Sequence, residues 1–115
     1  MITVPVSIGE LADKISILDI KSERIKDLNK LKNIKKEQKE LSNYNFSYKY
    51  LDLKKINEEL WDVEENIRKK EFNNEFDNEF IELARSVYIL NDKRSLIKKE
   101  INLFYNSVLV EEKSY

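Results

Sequence analysis

The chain has 115 residues, with 21 basic and 22 acidic side chains, 41% hydrophobic residues, and neither cysteine nor histidine. This is one domain's worth of sequence with enough apolar material for a core, and it excludes thiolate nucleophiles, serine–histidine–aspartate triads, zinc fingers and disulfide scaffolds. A net charge of −1 gives no footprint for nucleic acid, no apolar run is long enough to span a membrane, and with no basic leader ahead of an apolar stretch the expected location is cytoplasmic.

Pro5 and Gly9 are the only residues of their kinds, and the 106 residues after Gly9 contain neither. A sandwich or an α/β domain needs turn glycines, so the sequence predicts long helices joined by Asn, Asp and Ser loops. Ser7-Ile8-Gly9-Glu10 reads as a capping box, with Ser7 as N-cap and Glu10 reaching back to its amide, and Val6 and Leu11 read as the accompanying staple. Ile8, Leu11, Ile15, Leu18, Ser22 and Ile25 then recur at spacings of three and four along one side of a helix. The pattern weakens through Leu28, Leu31, Ile34 and Leu41, so this helix runs to about Leu41 or breaks near Asp27–Asn29.

Residues 42–50 (SNYNFSYKY) form a connection, in which Tyr44, Phe46, Tyr48 and Tyr50 alternate and would share a side if extended. Packing over the bundle is the simpler use for them. Leu53, Ile56, Leu60, Val63 and Ile67 mark a second helix to about Lys70, with Trp61 beside the stripe as a candidate interface anchor. After a connection over Phe72–Asn78 comes the longest stripe, from Phe76 through Leu83, Leu90, Arg94, Ile97 and Ile101 to Val108. Its seven-residue repeat argues for left-handed, near-antiparallel packing. The expected fold is therefore all-α: one domain, an antiparallel bundle of three long helices (about residues 8–41, 51–70 and 76–106), or four if the first breaks. The termini are expected to be short and extended, with Ile2–Val4 and Val108–Val110 able to pair as a minimal ribbon.

Three long helices bury their stripes poorly alone, so a homodimer that completes the bundle is expected. The first 57 residues carry 12 basic and 8 acidic groups and the remainder 9 and 14, opposite surpluses that suit complementary surfaces within or between subunits.

Arg94 is the most informative single residue, because it interrupts an apolar stripe where an unpaired charge would cost several kcal/mol. Asp19 or Ser22 on the first helix, or Glu64 on the second, would supply its partner. A structural ion pair accounts for it most simply; an anionic ligand is the alternative. Asn91, Asp92 and Lys98 flank Arg94 at helical spacing, and Asn91 and Asp92 sit mid-helix against propensity. The candidate ligand site is thus Arg94, Asn91, Asp92, Lys98, Asp19 and Ser22. Glu58, Asp62 and Glu65 form a carboxylate face of the kind that binds magnesium. The third helix offers Glu75, Glu79 and Glu82 but no matching second motif, so a salt-bridged solvent face is the better reading. No metal and no cofactor is expected. The basic run Lys30–Lys39 is interleaved with Glu37 and Glu40 and reads as a solvated helix.

VSIGELADKISILDIKSERI at the start, LARSVYILNDKRSLIKKEIN near the end and the terminal LVEEKSY together resemble a family of short, uncharacterised bacterial proteins, a domain of unknown function. The likeness spans most of the chain and implies no catalytic residue. It draws attention to the charged tail, where Glu111, Glu112, Lys113 and Tyr115 are expected to dock near Arg85, Arg94 or Lys98. Two functional readings follow: a non-catalytic oligomeric interaction module with a second copy or another protein as partner, or a small-molecule or phosphate-binding helical domain, with or without catalysis, built around Arg94.

Overall fold

In the computed structural model, which describes residues 1–115, the chain forms four helices and no strand: α1 (Ile8–Arg24), α2 (Leu28–Glu40), α3 (Tyr50–Phe72) and α4 (Asn78–Phe104). The helix expected over residues 8–41 is two helices. Ile25 is extended (φ −82°, ψ 130°), and the Asp27 carboxylate accepts from the Lys30 amide at 3.0 Å, so Asp27 starts a new helix rather than continuing the old one. The other boundaries shift by a few residues, because Asp77 caps α4 through the Phe80 amide and Tyr50 already belongs to α3.

Ser7 caps α1 as expected, accepting from the Glu10 amide at 3.0 Å. The reciprocal half of the capping box does not form: the Glu10 carboxylate takes the Lys98 ammonium instead, at 2.7 Å. The terminal ribbon does not form either. Ser107 Oγ accepts from the Ile8 amide (3.0 Å) and Asn102 Oδ1 from the Gly9 amide (2.6 Å), so side chains of the α4 end hold the start of α1, and Ile2 and Val108 stay exposed.

With one glycine in the chain, α3 and α4 end on asparagine. Asn74 and Asn106 take the left-handed conformation (φ 53° each) just past α3 and α4, and the next amides, of Glu75 and Ser107, bond back to Lys70 and Asn102 carbonyls. Asparagine tolerates that conformation better than other side chains do. Gly9, the one glycine, serves close packing: a Cβ there would lie 2.5 Å from the Lys98 carbonyl oxygen.

α1 touches all three other helices, while α2 packs on α1 alone. Ile15 and Leu18 of the periodic face of α1 turn toward α2 and the 42–50 connection, while Ile8 at its start packs on the apolar centre. Leu18 of that face is buried too, but the other buried residues, Gly9, Ala12, Asp13, Ser16 and Ile20, lie nearly on the opposite side of the helix and meet α3 and α4. Ala12, Leu53 and Ile101 form the apolar centre, flanked by Phe46, Tyr48, Ile97 and Tyr105. The connection closes over the end of α4, with Tyr48 stacked on Phe104 (3.9 Å between centroids) and Phe46 edge-on to Tyr105 (5.2 Å). At the opposite end Lys70 donates to Glu75 and Asp77 and pairs with Glu79, clasping the α3–α4 turn and raising the Lys70 pKa.

Candidate functional site

Because α1 presents small and polar residues to α3 and α4, those helices approach closely around a charged group. Asp13 is 1% exposed. Arg94 grips its carboxylate with two parallel hydrogen bonds, from Nε to Oδ1 at 2.9 Å and from an Nη to Oδ2. Asn57 of α3 donates to Asp13 Oδ1 (2.9 Å) and to Ser16 Oγ (2.8 Å), and the Ser16 hydroxyl donates to the Asp13 carbonyl (2.7 Å). Three helices thus share one carboxylate. The hydrogen bonds from Arg94 to Asp13 raise the Arg94 pKa further against the opposing effect of burial, so the guanidinium is fixed as a cation. No buried side-chain nitrogen or oxygen lacks a partner, which a stable interior polar network requires.

Arg94 therefore has an internal carboxylate partner, Asp13, rather than Asp19, Ser22 or Glu64. Six residues beyond Asp13, Asp19 points elsewhere: its carboxylate accepts from the Tyr50 hydroxyl and from Gln38 of α2 at 3.1 Å, while the Ser22 hydroxyl donates to the Asp19 carbonyl at 2.8 Å. Burial, reinforced by the Asp19 hydrogen bond, pushes the Tyr50 phenol up. The structure thus brings Arg94, Asn91, Asp92 and Lys98 together and sets Asp19 and Ser22 apart.

Those four line an open cleft of about 540 Å³, with Glu10 on one side and the C-terminal tail across it. Lys98 donates to Glu10 and, at 3.2 Å, to Glu111 of the tail, while Lys113 pairs with Glu111 at 2.6 Å and Lys99 with Glu112 at 3.6 Å. The tail docks where its charges pair. Lys113 and Lys98 hold the Glu111 carboxyl down to about 2. Each cation of this cleft already faces a carboxylate, and Asp92 is exposed.

The carboxylate face of α3 is also neutralised, by Arg24 of α1 reaching Asp62 (2.7 Å) and Glu58 (3.9 Å), with Arg24 also lying 5.8 Å from the Trp61 ring centre. Glu65 accepts from Trp61 Nε1 at 3.0 Å. No three acidic side chains converge in a way that could hold a metal ion.

Sequence reasoning missed Asp13 and Asn57. The signal that was present is the run Gly9, Ala12, Ser16 at spacings of three and four, a small-residue face that marks close helix approach, with Asp13 beside it.

A family model described as "Family of unknown function (DUF6165)" matches residues 2–115, and the chain belongs to that family. No curated protein and no solved structure matches it.

Proposed function

We propose that this member of the family is a non-catalytic interaction module that works as a homo-oligomer, in its simplest form a dimer, through the outer side of α4. One observation carries the reading. Ile89, Leu96 and Leu103 recur every seven residues and are 41%, 60% and 66% exposed. Two helical turns separate neighbours in that series, so the three side chains form one apolar stripe of coiled-coil spacing. Only eight hydrophobic residues in the whole chain are buried, and an exposed apolar stripe on a chain with so small a core marks an interaction surface.

A second copy is the occupant we favour. A two-fold axis lets one such stripe cover itself, and the basic surplus of the first 57 residues complements the acidic surplus of the rest. In this reading the arrangement is an antiparallel bundle, since along α1 the partners Gly9, Glu10 and Asp13 meet Asn102, Lys98 and Arg94 in falling order. The parallel order of α1 and α3, where Asp19 meets Tyr50 and Arg24 meets Asp62, is its one exception.

Sedimentation equilibrium at micromolar to millimolar protein tests the proposal. A dimer is expected, with Leu96→Asp shifting it to monomer while circular dichroism stays helical. A monomer at every concentration, or a dimer indifferent to both Leu96→Asp and Leu103→Asp, overturns it. The ligand-binding alternative on the tail side of Arg94 is weaker, because Lys98, Lys113 and Arg94 are already matched by Glu10, Glu111 and Asp13.

A further inference from the structure

The Asp13 network leaves one acceptor unused. Asn57 is 5% exposed and gives both hydrogens of its Nδ2 to Asp13 and Ser16. A carboxylate only accepts, so the amide orientation is fixed and Oδ1 faces away from Asp13. Oδ1 finds no donor in the chain, yet no fully buried polar atom is unpartnered. Oδ1 is therefore open to whatever fills the space in front of it.

That space is a second cleft, of about 490 Å³, between α1, α3 and α4, and it lies apart from the docked tail. Ile17, Ile20, Leu60 and Trp61 supply an apolar wall. Arg94 also lines it. Nε and one Nη of Arg94 are taken by Asp13, but the other Nη makes only a 3.4 Å contact with Asn91 Oδ1. Asn57 and Arg94 both donate to Asp13 Oδ1, which sets them side by side. A fixed acceptor thus stands next to N–H groups with capacity to spare, at the end of an apolar wall. Clefts of this size, mostly apolar with a few fixed polar groups, are typical of small-molecule sites.

We propose that this cleft binds a small molecule carrying a primary carboxamide on a ring. The carboxamide N–H donates to Asn57 Oδ1, its carbonyl accepts from the Arg94 guanidinium, and the ring lies along Ile17, Leu60 and Trp61. The complementarity is specific. Phosphate dianions and carboxylates bring no donor to Asn57, whereas a neutral group with a donor beside an acceptor satisfies both protein atoms. The inference uses none of the α4 residues assigned to self-association, so either can fail without the other.

The test is a titration of the 15N-labelled full chain with benzamide, followed in 1H–15N spectra at the Asn57 side-chain amide and the Trp61 indole, with benzoate and benzyl alcohol run in parallel. Saturable shifts at both signals are expected with benzamide, at a dissociation constant on the order of 1 mM for so small a ligand. Benzoate and benzyl alcohol are expected to bind at least tenfold more weakly. Asn57→Leu removes the acceptor but also loosens the Asp13 network, so the deciding variant is Trp61→Ala, at the edge of the wall, which should weaken benzamide at least tenfold with an unchanged thermal melt. The proposal is overturned if benzamide produces no saturable shift at the two signals, as when water alone fills the cleft. It is equally overturned if benzoate binds as well, or if Trp61→Ala binds benzamide like the wild type.

Discussion

Asp13 of α1 and Arg94 of α4 are 81 residues apart in sequence and joined by a two-pronged hydrogen-bonded ion pair, with the carboxylate fully buried and the guanidinium partly so. Removing either partner strands the other. Asp13→Ala and Arg94→Ala should each destabilise the chain by about 3 kcal/mol, or about 10 °C in Tm. The double variant should cost little more than either single one, because the interaction is lost only once. Urea denaturation of the four proteins in this cycle checks it, and additive losses would show that the pair is not coupled.

Gly9 lets α1 and α4 approach until backbone meets backbone. The obstacle to a larger residue is the Lys98 carbonyl oxygen, 2.5 Å from where a Cβ would stand, and a carbonyl in mid-helix has little room to yield. Although alanine favours helix over glycine by up to about 1 kcal/mol, Gly9→Ala should destabilise by about 2 kcal/mol through overpacking. Thermal unfolding decides the sign; a stabilised variant would mean that α4 gives way easily.

Asn102 is 2% exposed and accepts from the Gly9 amide at the N-terminus of α1, where no intrahelical acceptor exists. Asn102→Ala leaves that donor buried and unmet, at a cost of about 2 kcal/mol. Hydrogen exchange should show the Gly9 amide losing protection before the centre of α1 does.

The C-terminal tail is held by charge. The folded-state pKa of Glu111, about 2, lies below the ordinary glutamate value of 4.5, so its stabilising contribution is complete above about pH 4.5 and is lost as pH falls toward 2. Carboxyl-detected NMR should give a Glu111 midpoint near 2, rising toward the ordinary value in Lys98→Met. Because the tail is exposed, molar salt at neutral pH should loosen it too. Deleting residues 110–115 should then remove the salt dependence while lowering Tm only slightly.

The sequence by itself determined the helical class. Confinement of proline and glycine to the first nine residues, the Ser7 cap and apolar spacings of three and four are local signals, and local signals decide helix against strand. It also singled out Arg94, since a cation in an apolar stripe needs a partner wherever that stripe is buried. It brought Asn91, Asp92 and Lys98 to the same cleft because helical spacing alone places them together. Tertiary structure decided the rest. α1 has neighbours on several sides, so its apolar stripe identified only the side turned to α2 and the aromatic connection, while Gly9, Ala12, Asp13 and Ser16 formed the closer contact. Asp13 rather than Asp19 became the partner of Arg94 because the rotation of α1 is set by how near α4 can come at Gly9. That distance depends on residues almost a whole chain apart, and no local pattern encodes it.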